Sequence, residues 1–241
     1  MVALVTGGAK GIGKEIVKTF VAAGYKVAFC YNSSEQHAFE LCNQLNGNSE
    51  LNCIAVKCDV RNFDNVKNFV QTAVDVFGRI DVVINNAGIA DYSLLMDMDV
   101  KGWRNVMSTN LDSVFYVCNQ CLPHMLENGG AIVNISSVWG IYGASCEVAY
   151  STSKAGVIGL TKALAQEMGG SNIRVNCIAA GVINTDMNSC HSKETIEELI
   201  QRTPLNRLGE PKEIAETALF LASEKAKFIT GQVVEVGGGF R

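Results

Sequence analysis

Val2-Ala3-Leu4-Val5-Thr6-Gly7-Gly8-Ala9-Lys10-Gly11-Ile12-Gly13 opens the chain, and Ile16, Val17 and Phe20 follow it at helical spacing. The first four residues form a continuous apolar run, the pattern of a strand covered on both faces. The apolar positions after Gly13 recur three and four apart, as on one face of a helix. The glycines between them permit a tight turn and close approach of backbone to a phosphate, and the helix amino end adds N–H donors and a positive dipole. Strand, glycine turn and helix in that order predict the first βα unit of a sheet that can hold a dinucleotide.

The alternation continues along the chain. Val27–Cys30, Ile54–Val56, Ile80–Ile84, Ala131–Ile135, Ile173–Ile178 and Val233–Val236 are further short runs rich in β-branched residues. Between them lie amphipathic stretches. In Asn62–Phe77, residues Phe63, Val66, Phe69, Val70, Ala73, Val74 and Phe77 make one apolar stripe that Gly78 can end. Leu111 to Leu126 and Tyr150–Met168 also read as helix, and Pro211 fits the first turn of a late one with Glu213 near its positive end. Repeated βα units predict an α/β fold: one Rossmann-type doubly wound domain over residues 1–241, with a seven-stranded parallel sheet and right-handed crossovers. The least regular stretch, about 181–209, follows the sixth strand and contains a helical piece, Lys193–Arg202. Ligands of open α/β sheets bind beyond the carboxyl ends of the strands, so this stretch is expected to act as a substrate lid.

Composition narrows the function classes. A net charge of −4 without a basic run gives no attraction to nucleic acid or anionic lipid. With a buried-strand pattern beginning at Val2 no signal peptide is expected, and no apolar stretch is long enough to cross a bilayer. The chain has 9 cysteines, an odd number, which suggests free thiols in a reducing compartment such as the cytoplasm. Cys118-Asn119-Gln120-Cys121 has metal-like spacing, but it falls in an apolar helical stretch with no second pair, so core packing is expected. His37, His124 and His191 are far apart in sequence, and no metal site is expected.

The end of the second strand bears on cofactor choice. An acid there often binds the ribose 2′-hydroxyl of NAD and would repel a 2′-phosphate. This chain has Tyr31-Asn32-Ser33-Ser34, with its first carboxylate at Glu35. Hydroxyls and an amide can donate to a phosphate, and Lys10 can supply charge from the glycine turn. The expectation is NADP(H).

Tyr150 and Lys154 lie four residues apart and so share a helix face, with Ser137 thirteen residues before the tyrosine. A phenol titrates near pH ~10, too high for easy proton exchange at neutrality, and a neighbouring ammonium and a positively charged nicotinamide would both lower that value. Tyr150 could then protonate a carbonyl oxygen as a hydride arrives, with Ser137 donating to the same oxygen.

With these residues in place the sequence resembles a classical short-chain dehydrogenase/reductase over essentially its full length. Thr6 to Gly13 matches that family's cofactor loop, Asn85-Asn86-Ala87-Gly88 its motif after the fourth strand, and Asn110, Ser137, Tyr150 and Lys154 its catalytic tetrad. The resemblance implies that Tyr150 is the acid/base, that Lys154 also binds the nicotinamide ribose, and that Asn110 holds a water in a proton relay. It implies cofactor contacts from Gly7, Gly11, Ile12 and Gly13, from Asp59 and Val60 near the adenine, from Asn86, Ala87 and Gly88, and from Ile183 and Thr185. It implies a homotetramer or dimer packed through Asp112–Leu126, Tyr150–Met168 and Val233–Val236. One departure is Ala180-Gly181 after the sixth strand, where the family usually has Pro-Gly; the loop loses a fixed φ angle.

Within the family, Arg174 to Ala179 and Thr203 to Gly209 resemble the late segments of bacterial 3-oxoacyl-[acyl-carrier-protein] reductases of fatty acid biosynthesis. That similarity implies a carrier-tethered ketone substrate. The basic residues that usually dock the carrier are replaced by Glu127-Asn128-Gly129-Gly130 and Gly169-Gly170-Ser171-Asn172, leaving Lys101, Arg104, Lys193 and Arg202 as cations elsewhere. A narrower similarity, Trp139 to Val148, is to reductases of the 5-aminopentanone group on elongation factor P. An alternative of a different class is a non-catalytic NADP-binding sensor that keeps the fold.

Overall fold

The computed structural model describes residues 1–47, 51–188 and 192–240. Cys190 and His191 lie outside the described residues. Seven strands form one parallel sheet: β1 (Val2–Val5), β2 (Lys26–Tyr31), β3 (Cys53–Lys57), β4 (Val82–Asn85), β5 (Gly130–Ser137), β6 (Ile173–Ala180) and β7 (Val233–Val236). Their order is β3-β2-β1-β4-β5-β6-β7, so the direction of winding reverses between β1 and β4. This is the doubly wound arrangement that the sequence predicts. The reversal opens a crevice at the carboxyl ends of those two strands.

Each face of the sheet is covered by its own apolar layer. Helices α1 (Gly11–Ala22) and α2 (Glu35–Leu45) pack on one face, with Ile16, Val17, Phe20 and Leu41 turned inward. Helix α3 (Phe63–Phe77) packs on the other through Val66, Phe69, Val70 and Ala73. Asn62 caps α3 by accepting from Asn65 N at 3.0 Å, and Gly78 ends it with φ 78°. Phe63 does not join the core as the stripe suggests. It is exposed and meets Tyr116 edge-on at 5.4 Å, because it sits in the first turn before the helix reaches the sheet.

The predicted helix from Leu111 is two pieces. Helix α4 (Val100–Met107) runs into a wide π-turn at Ser108–Asp112, and α5 (Ser113–Met125) continues from it. Such turns replace α-helix where an inserted residue is held by other contacts. Here Asn110, in the middle of the turn, is bound to the loop after β4. Cys118 and Cys121 are buried on α5, and burial pushes both thiols up, so they serve as core residues. His37 and His124 are exposed.

After β5 come the short helix α6 (Trp139–Tyr142) and the long α7 (Val148–Met168). Beyond β6, a parallel bridge between Ile183 and Gly209 closes the base of the irregular stretch. That stretch contains a 3₁₀ turn at Asp186–Asn188 and α8 (Lys193–Gln201), capped by Ser192, which accepts from Thr195 N at 3.2 Å. Helix α9 (Pro211–Ala222) starts with a capping box between Glu210 and Glu213, and Arg207 holds the Glu213 carboxyl at about 2. Arg174, on β6, donates to the carbonyls of Leu221, Ala222 and Ser223 and so satisfies the other end of α9.

Candidate active site

The loops after β1 and β4 are joined across the crevice. Thr6 Oγ1 accepts from the backbone N–H groups of Asn86 and Ala87, both at 3.0 Å. Asn86 Nδ2 donates back to Thr6 O at 2.9 Å and Gly7 O at 3.1 Å. The turn between them leaves no room for side chains. A Cβ on Gly13 would sit 2.1 Å from Gly7 O, and Gly7 itself has φ 65°. What remains is a smooth backbone cradle at the amino end of α1, with the chemistry of a diphosphate site.

That cradle forms one end of a cavity of about 690 Å³. Gly7, Lys10, Gly11, Ile12, Gly13, Asn86, Ala87, Gly88, Ile183 and Thr185 line it together with Ser137, Tyr150 and Lys154. The structure therefore brings most of the sequence-derived site residues to one space. Asn110 stands just behind the wall. Its Oδ1 accepts from Ile89 N at 2.8 Å, and its Nδ2 donates to Ile89 O at 2.9 Å and to Ser153 Oγ at 3.0 Å. A Cβ on Gly88 would touch both Asn110 Oδ1, at 3.4 Å, and Lys154 Nζ, at 3.3 Å, so the two groups face the same gap.

Five expected cofactor residues are not in the cavity wall: Tyr31, Asn32, Ser33, Asp59 and Val60. Tyr31 is buried, and its hydroxyl donates to Glu35 Oε1 at 3.1 Å. A carboxylate thus stands closer to the tip of β2 than its place in sequence suggests. Asn32 and Ser33 are exposed at that tip, and Val60 packs into the core. Asp59 is held two-pronged by Arg61, with Nη2 to Oδ2 at 2.6 Å, which keeps its carboxyl below the usual range.

Tyr150 and Lys154 project from one face of α7, with Lys154 Nζ 5.7 Å from the Tyr150 ring centroid. Lys154 Nζ donates to Ile135 O at 2.9 Å, and Ser136 Oγ donates to Lys154 O at 2.9 Å, so strand β5 fixes both side chain and backbone. Ser137 is the last residue of β5, where its Oγ accepts from Trp139 N at 3.2 Å. The expected acidified phenol is not what the protein alone provides. Burial pushes Tyr150 up to about 12, and its hydrogen bond with Ser137 only partly offsets this. Burial also pulls the Lys154 ammonium down to about 8. At neutral pH the phenol therefore holds its proton beside a lysine that is still charged.

The lysine has a consequence for stability. Its folded value, about 8, lies below its ordinary 10.5, so between those two pH values the folded state has released a proton that the unfolded chain retains. Stability rises with pH in that window. Wild type should gain in urea unfolding midpoint relative to Lys154→Met as pH is raised from 8 towards 10.5. Parallel midpoints for the two proteins would contradict this.

Tyr92, which joins the cavity from the loop after β4, was not legible in the sequence, whereas Glu147, three residues before Tyr150, belongs to the Trp139–Val148 stretch singled out there. An isolated bridge between Ser93 and Glu147, with Ser93 N donating to Cys146 O at 2.8 Å, brings these segments together. A buried chain of side-chain bonds, Asn85 Nδ2 to Asn134 Oδ1 at 2.8 Å and Asn134 Nδ2 to Thr161 Oγ1 at 2.9 Å, ties β4, β5 and α7 beneath the site. At the departure from Pro-Gly, Ala180 packs in the core. Gly181 is required because a Cβ there would sit 2.5 Å from Gly237 Cα.

A Rossmann-type sheet with a glycine cradle leading into a Ser–Tyr–Lys cluster defines a nicotinamide-dependent oxidoreductase that acts on carbonyl or hydroxyl groups. Residues 7–241 match the family model described as enoyl-(acyl carrier protein) reductase, and the chain belongs to that family of short-chain dehydrogenases/reductases. It is 41% identical over 238 residues to a 3-oxoacyl-[acyl-carrier-protein] reductase FabG of Staphylococcus aureus strain N315, covering 98% of this chain and 96% of the relative. It is 43% identical over 238 residues to the protein of the same name from Chlamydia muridarum, with the same coverage. Among solved structures, a dehydrogenase/reductase from Sinorhizobium meliloti 1021 superposes with a TM-score of 0.93 at 30% identity, covering 99% of this chain and 94% of that one.

Proposed function

We propose that this chain reduces a ketone to a secondary alcohol with NADPH, and that the ketone is a 3-oxoacyl thioester carried on an acyl carrier protein, as in fatty acid biosynthesis. The observation that carries the reading is the convergence of Ser137, Tyr150 and Lys154 on the same cavity as the glycine cradle. The curated relatives named above support the substrate class.

The residues fit a dinucleotide: a side-chain-free cradle for the diphosphate, then Asn86, Gly88 and Thr185 along the wall. Bound nicotinamide supplies the hydride. The protein's part is to hold the carbonyl oxygen between the Ser137 and Tyr150 hydroxyls and to give it a proton from Tyr150. Lys154, held by Ile135 O, keeps a positive charge beside the phenol and favours its ionised form as the proton leaves. Asn110 fixes the π-turn and the loop at Ile89, so that the gap beside Lys154 stays open to a water.

Lys10, exposed on the cavity rim, with Asn32 and Ser33 at the tip of β2, supports NADP(H) over NAD(H). Lys10→Ala should raise KM for NADPH about tenfold, the worth of one charge-assisted contact, and change KM for NADH little. An equal effect on both cofactors would remove Lys10 from 2′-phosphate binding.

Exposed Lys101 and Arg104 on α4 border a shallow groove with Arg61, which offers an acidic carrier protein a docking face. Exposed Phe115 and Leu126, at the two ends of α5, support self-association into a tetramer or dimer through α5 and α7. Among the described residues no helix is long and apolar enough to cross a membrane, and the eight described cysteines are free thiols, as expected in the cytoplasm.

The test is NADPH oxidation by the purified protein with acetoacetyl coenzyme A, the same acyl group on acyl carrier protein, and small diketones. Turnover of the two thioesters is the expected result. Cofactor binding without turnover of any ketone would favour a sensor.

A further inference from the structure

The sheet ends on β3, and a pair of thiols sits where α2 meets that edge strand. Cys53 opens β3 and is buried, while Cys42, in the last turn of α2, is half-buried. Their sulfurs are 3.7 Å apart, with the Cys53 S–H donating to Cys42 Sγ. Neither residue lines the catalytic cavity. Cys53 stands at the amino end of its strand, away from the carboxyl ends on which the crevice opens.

The backbone around the pair holds the sulfurs together. Asn46, just after α2, accepts at Oδ1 from Asn52 N and Cys53 N, both at 2.8 Å, and donates from Nδ2 to Cys53 O at 2.9 Å. Asn52 Nδ2 donates in return to Leu45 O at 3.0 Å. These bonds fasten the end of α2 to the start of β3. A disulfide needs its sulfurs at about 2.05 Å, so the approach still to be made is under about 2 Å.

The two thiols are not equivalent. The S–H that Cys53 donates favours charge on Cys42 and draws that thiol below its ordinary value. The same bond, with burial, pushes Cys53 up. The thiolate is the nucleophile, so Cys42 is the sulfur that attacks, and it is also the one that solvent reaches. The other described thiols lack this combination. Cys30 and Cys58 share a hydrogen bond, but both are buried. Cys118, Cys121 and Cys177 are buried and pushed up. Cys146 is exposed, and its neighbour at 3.8 Å is the Ser145 hydroxyl.

We propose that Cys42 and Cys53 are a modification site, a dithiol that a small hydroperoxide converts to a disulfide. The Cys42 thiolate attacks one peroxide oxygen. The O–O bond breaks, Cys42 becomes a sulfenic acid, and the other oxygen takes a proton from solvent and leaves as water or an alcohol. The Cys53 sulfur then attacks the Cys42 sulfur. The S–O bond breaks, the S–S bond forms, and the hydroxyl leaves as water with the Cys53 proton. The peroxide has gained the two electrons that the two thiols have lost. Cys53 thereby stops Cys42 short of the sulfinic acid, which thiols do not reverse, and leaves a bridge that a dithiol can reopen.

The experiment treats the reduced full-length protein with an equimolar amount of hydrogen peroxide, alkylates the remaining thiols under denaturing conditions and maps the peptides by mass spectrometry. Two of the 9 cysteines should escape alkylation. The peptides carrying Cys42 and Cys53 should appear joined, with two hydrogens fewer than their sum, and dithiothreitol should restore both thiols. In Cys53→Ala, dimedone, which traps sulfenic acids, should label Cys42; in Cys42→Ala it should leave Cys53 unlabelled. No oxidation, thiol loss spread over all the cysteines, a bridge to another cysteine, or a sulfinic acid on Cys42 beside a reduced Cys53 would overturn the site. Dimedone on Cys53 in Cys42→Ala, or none on Cys42 in Cys53→Ala, would overturn the assigned order of attack. The wild-type map needs no substitution, so the pairing is decided even where a variant fails to fold.

Discussion

Tyr150→Phe should lower kcat/KM for ketone reduction by roughly a thousandfold or more, within the range for loss of a positioned acid. The substitution removes one oxygen and leaves the ring, so the packing of α7 against β5 is kept. Ser137 Oγ still accepts from Trp139 N, and Lys154 still donates to Ile135 O. Cofactor affinity, read by titration of nicotinamide fluorescence, should change little, because the glycine cradle lies at the other end of the cavity. Retained turnover would reject Tyr150 as the proton donor. Loss of both turnover and cofactor binding would point instead to a structural role.

The direction of the reaction should matter to its pH dependence. Buried Tyr150, at about 12, is protonated throughout the neutral range and is ready to give a proton to a ketone. Oxidation of the alcohol needs the ionised phenol, so its rate should climb with pH, whereas reduction should weaken once Lys154 discharges above about 8. Both limbs should be absent in Tyr150→Phe.

Much of this arrangement could be read in the sequence because local patterns determined it. The run Val2–Val5 is strand by burial on both faces, the glycines after it exclude side chains, and Tyr150 and Lys154 share a helix face by arithmetic alone. What escaped were contacts between segments distant in sequence. Tyr92 meets the cavity on a segment that joins Cys146 and Glu147 only in space, through Ser93. The π-turn around Asn110 was equally hidden, since periodicity within Leu111–Leu126 says nothing of the Ile89 backbone that Asn110 grips. The burial that pushes Tyr150 up to about 12 in the protein alone was hidden for a related reason, since it depends on what packs around the phenol and not on its spacing from Lys154.

Gly13→Ala should damage the cofactor end of the site, by a route unlike removal of the acid. A methyl group at this position would lie 2.1 Å from Gly7 O and 2.5 Å from Asn86 Nδ2, well inside van der Waals contact. Neither neighbour can give way cheaply. Gly7 O belongs to the backbone of the turn at φ 65°, and Asn86 Nδ2 is spent on Thr6 O and Gly7 O. Overpacking of this kind costs about 3 kcal/mol or more, and the turn can relax only by parting the loops after β1 and β4. Those loops form the cradle, so NADPH affinity should fall at least about tenfold together with the unfolding midpoint, since each 1.4 kcal/mol lost at the site is a factor of ten. Gly159→Ala, where an added Cβ meets nothing within 4 Å among the described residues, is the matched control and should change neither. If Gly13→Ala bound NADPH as wild type does, the close approach of these two loops would not be what shapes the cofactor site.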